Sequence, residues 1–210
     1  MNYSQLREKA RASLKGSWLT AITLFVVSTL VFSLPDYLIN FNTNPDDFTV
    51  RDVISLLISL LLLPMTIGLI WAWVDLSRGK RIGFNHLIEP YQKIFIKSIV
   101  VSLLQGLFIF LWSLLLIVPG IIKSFSYMMT FYILRDRPEL SPLQAITESR
   151  KMMDGHKGEA FVLGLSFIGW LLLGLVTVGI ALLWVVPYIS VAFAHFYNTI
   201  RADYEEKQTI

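Results

Sequence analysis

Residues 160–200 form a run of 41 positions without Asp, Glu, Lys or Arg. An α-helix rises 1.5 Å per residue and crosses a bilayer core of about 30 Å in roughly 20 residues, so this run is about twice one span and has to fold back on itself. Gly179 lies near its midpoint and is the expected turn. Further uncharged runs occupy 18–34, 53–74 and 98–118, and a fourth at 121–134 is interrupted only by Lys123. Charged residues make up 16% of the chain, against about 25% in an ordinary soluble domain. These runs predict an integral membrane protein.

The fold class expected is all-α: a polytopic membrane helical bundle of six transmembrane helices in three hairpins, with short cytoplasmic interfacial amphipathic helices. The spans fall at about 17–34, 53–76, 95–118, 121–135, 159–178 and 180–200 of a single domain covering 1–210. Pro119-Gly120 is the expected turn between the third and fourth spans. The fourth, 14 apolar residues or about 21 Å of helix, either crosses a thinned bilayer or re-enters as a hairpin. The basic N-terminus ahead of an apolar run resembles a signal peptide but lacks a small-x-small cleavage site, and reads as a retained first span. The chain has no cysteine, which excludes disulfides and thiolate metal sites.

Basic residues set the orientation. With a cytoplasmic N-terminus, 16 of the 18 Lys and Arg fall inside, and only Arg51 and Lys123 fall outside. The external loop at 35–52 carries Asp36, Asp46, Asp47 and Asp52. Both termini are therefore expected at the cytoplasmic face of a bacterial plasma membrane. The cytoplasmic segment SPLQAITESRKMMDG, 141–155, has Ser141 and Gln144 in capping-box spacing, Pro142 at the first helical position and Gly155 where a left-handed residue ends a helix. Leu143, Ile146 and Met153 share one face, opposite Glu148, Lys151 and Asp154. Tyr3, Leu6, Ala10 and Leu14 beside Arg7, Arg11 and Lys15 repeat the pattern over 3–15, as do Phe84, Leu87, Ile88 and Tyr91 before the third span. Each such helix is expected in the headgroup region or against the ends of the spans.

The stretch VPGIIKSFSYMMTFYILRDRPELSPLQAITESRKMMDGHKGEAFVLGLSFIGWLL, the later GIALLWVVPYISVAFAHFY and the N-terminal Arg-x-x-Ala-x-x-x-Leu-Lys-Gly-Ser-Trp resemble the bacterial integral membrane family catalogued as domain of unknown function 975. The resemblance covers roughly Tyr3 to Tyr204. It implies a multi-pass plasma-membrane protein and carries no activity, substrate or catalytic residue with it.

The residues themselves offer little chemistry. No G-x-S-x-G, H-E-x-x-H or P-loop occurs, and the middle of every span lacks charge, which disfavours an ion-coupled carrier. Lys123 reads as a lysine snorkelling to the outer interface, with a lipid-phosphate contact as the functional alternative. Asp75 and Glu159 are expected to be satisfied by water or by Arg78 and Lys157. His195 reads as a hydrogen-bonded packing residue, and no histidine spacing indicates zinc. Trp18, Trp71 and Trp73 read as an aromatic belt. Pro64, Gly68 and Pro187 read as kinks that accommodate neighbouring helices, and Gly164, Gly169, Gly174 and Gly179 as close packing between the two closing helices.

Two surfaces remain as candidates. Arg7, Arg11, Lys15, Arg78, Lys80, Arg81, Glu148, Lys151 and Asp154 are expected contacts for anionic lipid headgroups or for other membrane or cytoplasmic proteins. Ser102, Gln105, Lys123, Ser126 and Tyr127 would line a polar cavity if a path existed. No cofactor, metal or nucleic acid is expected. The function anticipated is a non-enzymatic interaction or accessory component of the cell envelope, with a carrier or flippase-like path for a lipid or apolar solute as the alternative.

Overall fold

The computed structural model describes residues 2–40 and 50–209, and all regular structure among them is helical. The elements are α1 (Tyr3–Leu14), α2 (Trp18–Asn40), α3 (Val50–Ser77), α4 (Asn85–Lys93), α5 (Phe95–Leu115), α6 (Ile117–Tyr127), α7 (Thr130–Asp136), α8 (Pro142–Met152), α9 (Lys157–Leu165), α10 (Ile168–Val176) and α11 (Leu182–Thr209). Five helical stretches are long and apolar enough to cross a membrane: Trp18–Ile39, Val50–Ser77, Phe95–Leu115, Ile117–Asp136 and Lys157–Val176. The expected sixth span, 180–200, falls in α11, which is not among the five. Asp46 and Asp47, expected in the external loop, lie outside the described residues.

Several boundaries follow local chemistry. Asn2 caps α1, accepting from the backbone N–H of Ser4 at 3.1 Å. Ser141 and Gln144 form the reciprocal capping box on α8, with Pro142 opening it. Gly155 and Gly179 take φ of +80° and +89°, the left-handed region glycine enters without a Cβ clash. Gly179 therefore turns the long apolar run as expected. The Pro119-Gly120 turn does not form. The chain breaks one turn earlier, at Leu116 with φ −161° and ψ 145°, and Pro119 sits in the first turn of α6, where backbone N–H groups have no helical partner to lose. Gly120 instead allows close approach to α5, since a Cβ there would lie 2.9 Å from the Ser113 Cα.

Burial is uneven along the helices. Leu6, Ala10, Leu14, Trp73, Val74, Met129, Ile133, Met153, Leu163, Phe196 and Tyr197 belong to one core, while Leu30, Leu57, Leu107, Leu114, Leu172 and Val176 are exposed. The short helices α1, α4 and α8 bury apolar side chains against the longer ones. On α8 the buried face is Ala145, Ile146, Ser149 and Met152, and Leu143, expected on that face, is exposed. Trp71 and Trp73 are core residues and not part of an interfacial belt; the Trp71 indole N–H donates to the Phe131 carbonyl at 3.0 Å. Gly68 is where α4 crosses α3, for a Cβ would lie 2.9 Å from the Leu87 Cα. Of the closing glycines, Gly174 faces Leu182 closely, whereas Gly169 faces open space.

The break between α6 and α7 has an identifiable cause. The Ser149 hydroxyl of α8 donates to the Ser126 carbonyl at 2.9 Å and accepts from the Met129 N–H at 3.1 Å. A side chain inserted into the backbone ladder is a recognised source of sharp kinks. It ties α8 alongside α6 and α7. Ser149→Ala leaves a buried N–H and a buried carbonyl without this partner, and about 2 kcal/mol or more of stability is expected to be lost. Thermal unfolding of the detergent-solubilised protein measures it; an unchanged midpoint would show that the ladder closes without Ser149.

Candidate functional site

Charge converges on α7. Arg135 and Asp136 are its last two residues, and successive side chains on a helix diverge by about 100°, so each serves its own cluster. The Arg135 guanidinium reaches Glu89 of α4 at 2.5 Å and also pairs with Asp75 of α3. It lies 5.1 Å from the Trp71 ring centroid, in cation–π range. Asp75, with its side chain only 4% exposed, takes further contacts from Lys80 at 3.2 Å and the His86 Nε2 at 3.3 Å. Asp136 receives Arg78 through both oxygens, at 2.6 and 2.8 Å, the Tyr197 hydroxyl at 2.6 Å, and Arg201. The Arg78 Nε donates to Asn198 at 3.0 Å, and the Asn198 amide donates to Ser77 at 2.8 Å.

These pairings correct the expected ones. Arg78 is engaged by Asp136 and does not satisfy Asp75, and Glu159 is met by His156 at 2.7 Å, while Lys157 faces Asp154 at 3.7 Å. Fixed pairs of this kind suit a clamp joining α3, α4, α7 and α11. Burial alone would raise the Glu89 pKa, but hydrogen bonds from Lys93 and Arg135 outweigh it and hold the carboxyl below the ordinary glutamate value. The hydrogen bonds that Arg78 donates to Asp136 outweigh burial and raise the pKa of Arg78.

The expected contact residues scatter. On α1, Arg7 donates to the Ser166 carbonyl at 3.3 Å, and its buried Nε has no hydrogen-bond partner among the described residues. Arg11 lines an apolar cleft with Trp18, Trp170, Trp184, Val185 and Tyr188, while Lys15 and Arg81 are exposed. Arg78 and Lys80 belong to the clamp. Glu148 is held by the Tyr204 hydroxyl at 2.9 Å and faces Lys151 at 3.3 Å. Asp154 is exposed. His195 packs as expected, 2.9 Å from the Ser13 hydroxyl. Among the described residues, no three His, Asp or Glu side chains gather as a metal site.

The candidate cavity residues divide. Ser102 donates to the Ser98 carbonyl of its own helix at 2.8 Å, and the Gln105 Oε1 is buried without a hydrogen-bond partner among the described residues. Lys123 and Tyr127 line one cleft with Phe108, Trp112, Leu143, Ile146, Thr147 and Arg150. Lys123 and Ser126 line a second with Ile122, Arg150, Lys151, Asp154 and Lys157. Lys123 was expected across the membrane from Arg150 and Lys157, yet the three share a cleft. The inserted Ser149 explains this, because it packs α8 along α6.

Sequence reasoning missed the clamp partners Arg135, Asp136, Glu89, His86 and Arg201. The available signal was Asp75 and the Arg135-Asp136 pair at the ends of apolar runs, positions where charge is expensive unless it is paired.

Acidification tests Glu89. A depressed carboxyl contributes stability that is fully present above its unfolded pKa and lost as pH falls through its folded value. Glu89→Gln is expected to flatten the acid limb of the pH–melting profile; an unchanged limb would remove Glu89 as a contributor. Asp136→Asn leaves Arg78 and Arg201 facing one another without their carboxylate, and a loss of about 3 kcal/mol is expected. Adding Arg201→Gln should recover part of it in a double-mutant cycle, whereas simple additivity would argue against coupling.

No curated protein matches the chain. No solved structure matches it either. The family described as "Protein of unknown function (DUF975)" matches over residues 1–125 and 114–204, nearly the whole length, and the chain belongs to that family.

Proposed function

We propose that the protein is a six-span component of a bacterial plasma membrane with both termini cytoplasmic, and that it acts without catalysis as an interaction or accessory element of the cell envelope. α11 supplies the sixth span. Its polar Tyr188, His195, Tyr197 and Asn198 lower its hydropathy, and His195, Tyr197 and Asn198 are engaged by α1, α7 and the end of α3, so α11 suits a central position away from lipid. Charge asymmetry supports the orientation, because 16 of the 18 Lys and Arg fall on the cytoplasmic side of this topology.

The observation that carries the role is the contrast between a charge-clamped base and apolar helical ends that cover one another little. A rigid base at the water boundary offers a constant surface for a partner, and its buried carboxylates are committed to structural pairs. Reporter fusions at either terminus are expected to place both in the cytoplasm. Purification in mild detergent is expected to retain a stoichiometric protein partner that is lost when the exposed Lys151 and Asp154 are replaced by alanine. A periplasmic terminus would overturn the topology. The absence of any such partner would overturn the role.

One observation favours the carrier reading: the Gln105 Oε1 in the apolar α5 has no hydrogen-bond partner among the described residues, a costly state for a buried polar atom unless something visits it.

A further inference from the structure

The cleft at the junction of α6, α8 and the start of α9 is lined by four cations, Lys123, Arg150, Lys151 and Lys157, and one carboxylate, Asp154. Two of the cations are already matched: Lys151 faces Glu148 at 3.3 Å and Lys157 faces Asp154 at 3.7 Å. Lys123 and Arg150 have no carboxylate partner among the described residues. Lys123 is held with its ammonium 4.4 Å from the Trp112 ring centroid, so its position is set by a contact that leaves its charge unneutralised. The same two residues also line the adjoining cleft, whose other walls include Phe108, Trp112, Tyr127, Leu143 and Ile146. The cavities measure about 270 Å³ and 310 Å³. Ile122, which lines the first cleft, is an exposed apolar side chain.

We infer that these joined clefts bind the headgroup of an anionic phospholipid, with the phosphate between Lys123 and Arg150 and the glycerol and upper acyl segment against the aromatic wall. The ligand needs both parts. A planar guanidinium and an ammonium match phosphate oxygens, and basic pockets between membrane helices are known sites for such headgroups. An apolar, aromatic compartment opening from the same two cations suits an amphiphile better than a free anion. The inference rests on the membrane reading above and is independent of the accessory role proposed there.

Native mass spectrometry of the full-length protein, released from micelles containing phosphatidylcholine and phosphatidylglycerol, tests it. The wild type is expected to retain phosphatidylglycerol under activation that strips phosphatidylcholine, and Lys123→Gln/Arg150→Gln to lower retention at least about tenfold. Lys9→Gln/Lys207→Gln removes the same charge from exposed positions and is expected to retain the lipid. Arg150→Lys should keep most of it. Equal loss in both double variants would reduce the effect to general electrostatics and overturn the site. Displacement of the lipid by millimolar glycerol phosphate would assign the cleft to a soluble phosphate instead. Arg150 is exposed, so Arg150→Gln alone serves if the double variant has a lowered melting point, and unchanged retention there overturns the proposal. Failure of the protein to hold either lipid would count against the membrane reading itself.

Discussion

Placing a carboxylate where little water reaches it costs several kcal/mol, and the cost is offset only when opposite charge and hydrogen bonds are held in good geometry. Asp75 and Asp136 meet this condition in different ways. Asp75 gathers Arg135, His86 and Lys80, and Asp136 gathers Arg78, Arg201 and Tyr197. Because Arg135 and Asp136 are neighbours on α7, the two clusters share one rigid element. A shift of α7 would strain both at once. The sequence of contacts thus fixes the ends of α3, α4, α7 and α11 relative to each other.

That constraint matters because the apolar ends of the helices have little to hold them together. In lipid, burying leucine against leucine gains little, and association depends on close packing and polar contacts. Close packing exists at a few places: Gly120 against Ser113 and Gly174 against Leu182. Elsewhere Leu107, Leu114, Leu172 and Val176 face outward. Cohesion therefore resides at the base, where α1, α4 and α8 bury their apolar faces. Ser149 shows how tightly the base is tied: one hydroxyl satisfies two backbone groups exposed by the α6–α7 break, and so converts a discontinuity into a joint.

What could be read from the sequence was local. The Ser141–Gln144 capping box, Pro142, and the left-handed Gly155 and Gly179 depend on residues within a few positions of each other, and they stand where expected. The apolar runs likewise mark the helical stretches that could cross a membrane. The residues misread were those whose role is set by a distant partner. Trp71 has the look of an interfacial tryptophan until Phe131, 60 residues away, accepts its N–H. Pro119-Gly120 has turn composition, but α5 needs a glycine opposite Ser113, and that contact outweighs the local preference. Asp75 has Arg78 three residues on, the nearest cation in sequence, yet it pairs with Arg135, also 60 residues away.

Lys123 carries this point furthest. In sequence it is an isolated cation in an apolar run, and isolation makes snorkelling the economical reading. The inserted Ser149 changes its neighbours, bringing Arg150 and Lys157 to the same cleft. Like charges gathered in one recess repel, and the effect is small only while water or an anion screens it. The chain has 18 Lys and Arg against 15 Asp and Glu, and the base clamp commits Asp75, Glu89 and Asp136 elsewhere. Few carboxylates are left to neutralise this recess: Asp154 faces Lys157 and Glu148 faces Lys151. A membrane protein with its own carboxylates so committed has one abundant source of compensating negative charge at the bilayer boundary, the phosphates of the bilayer.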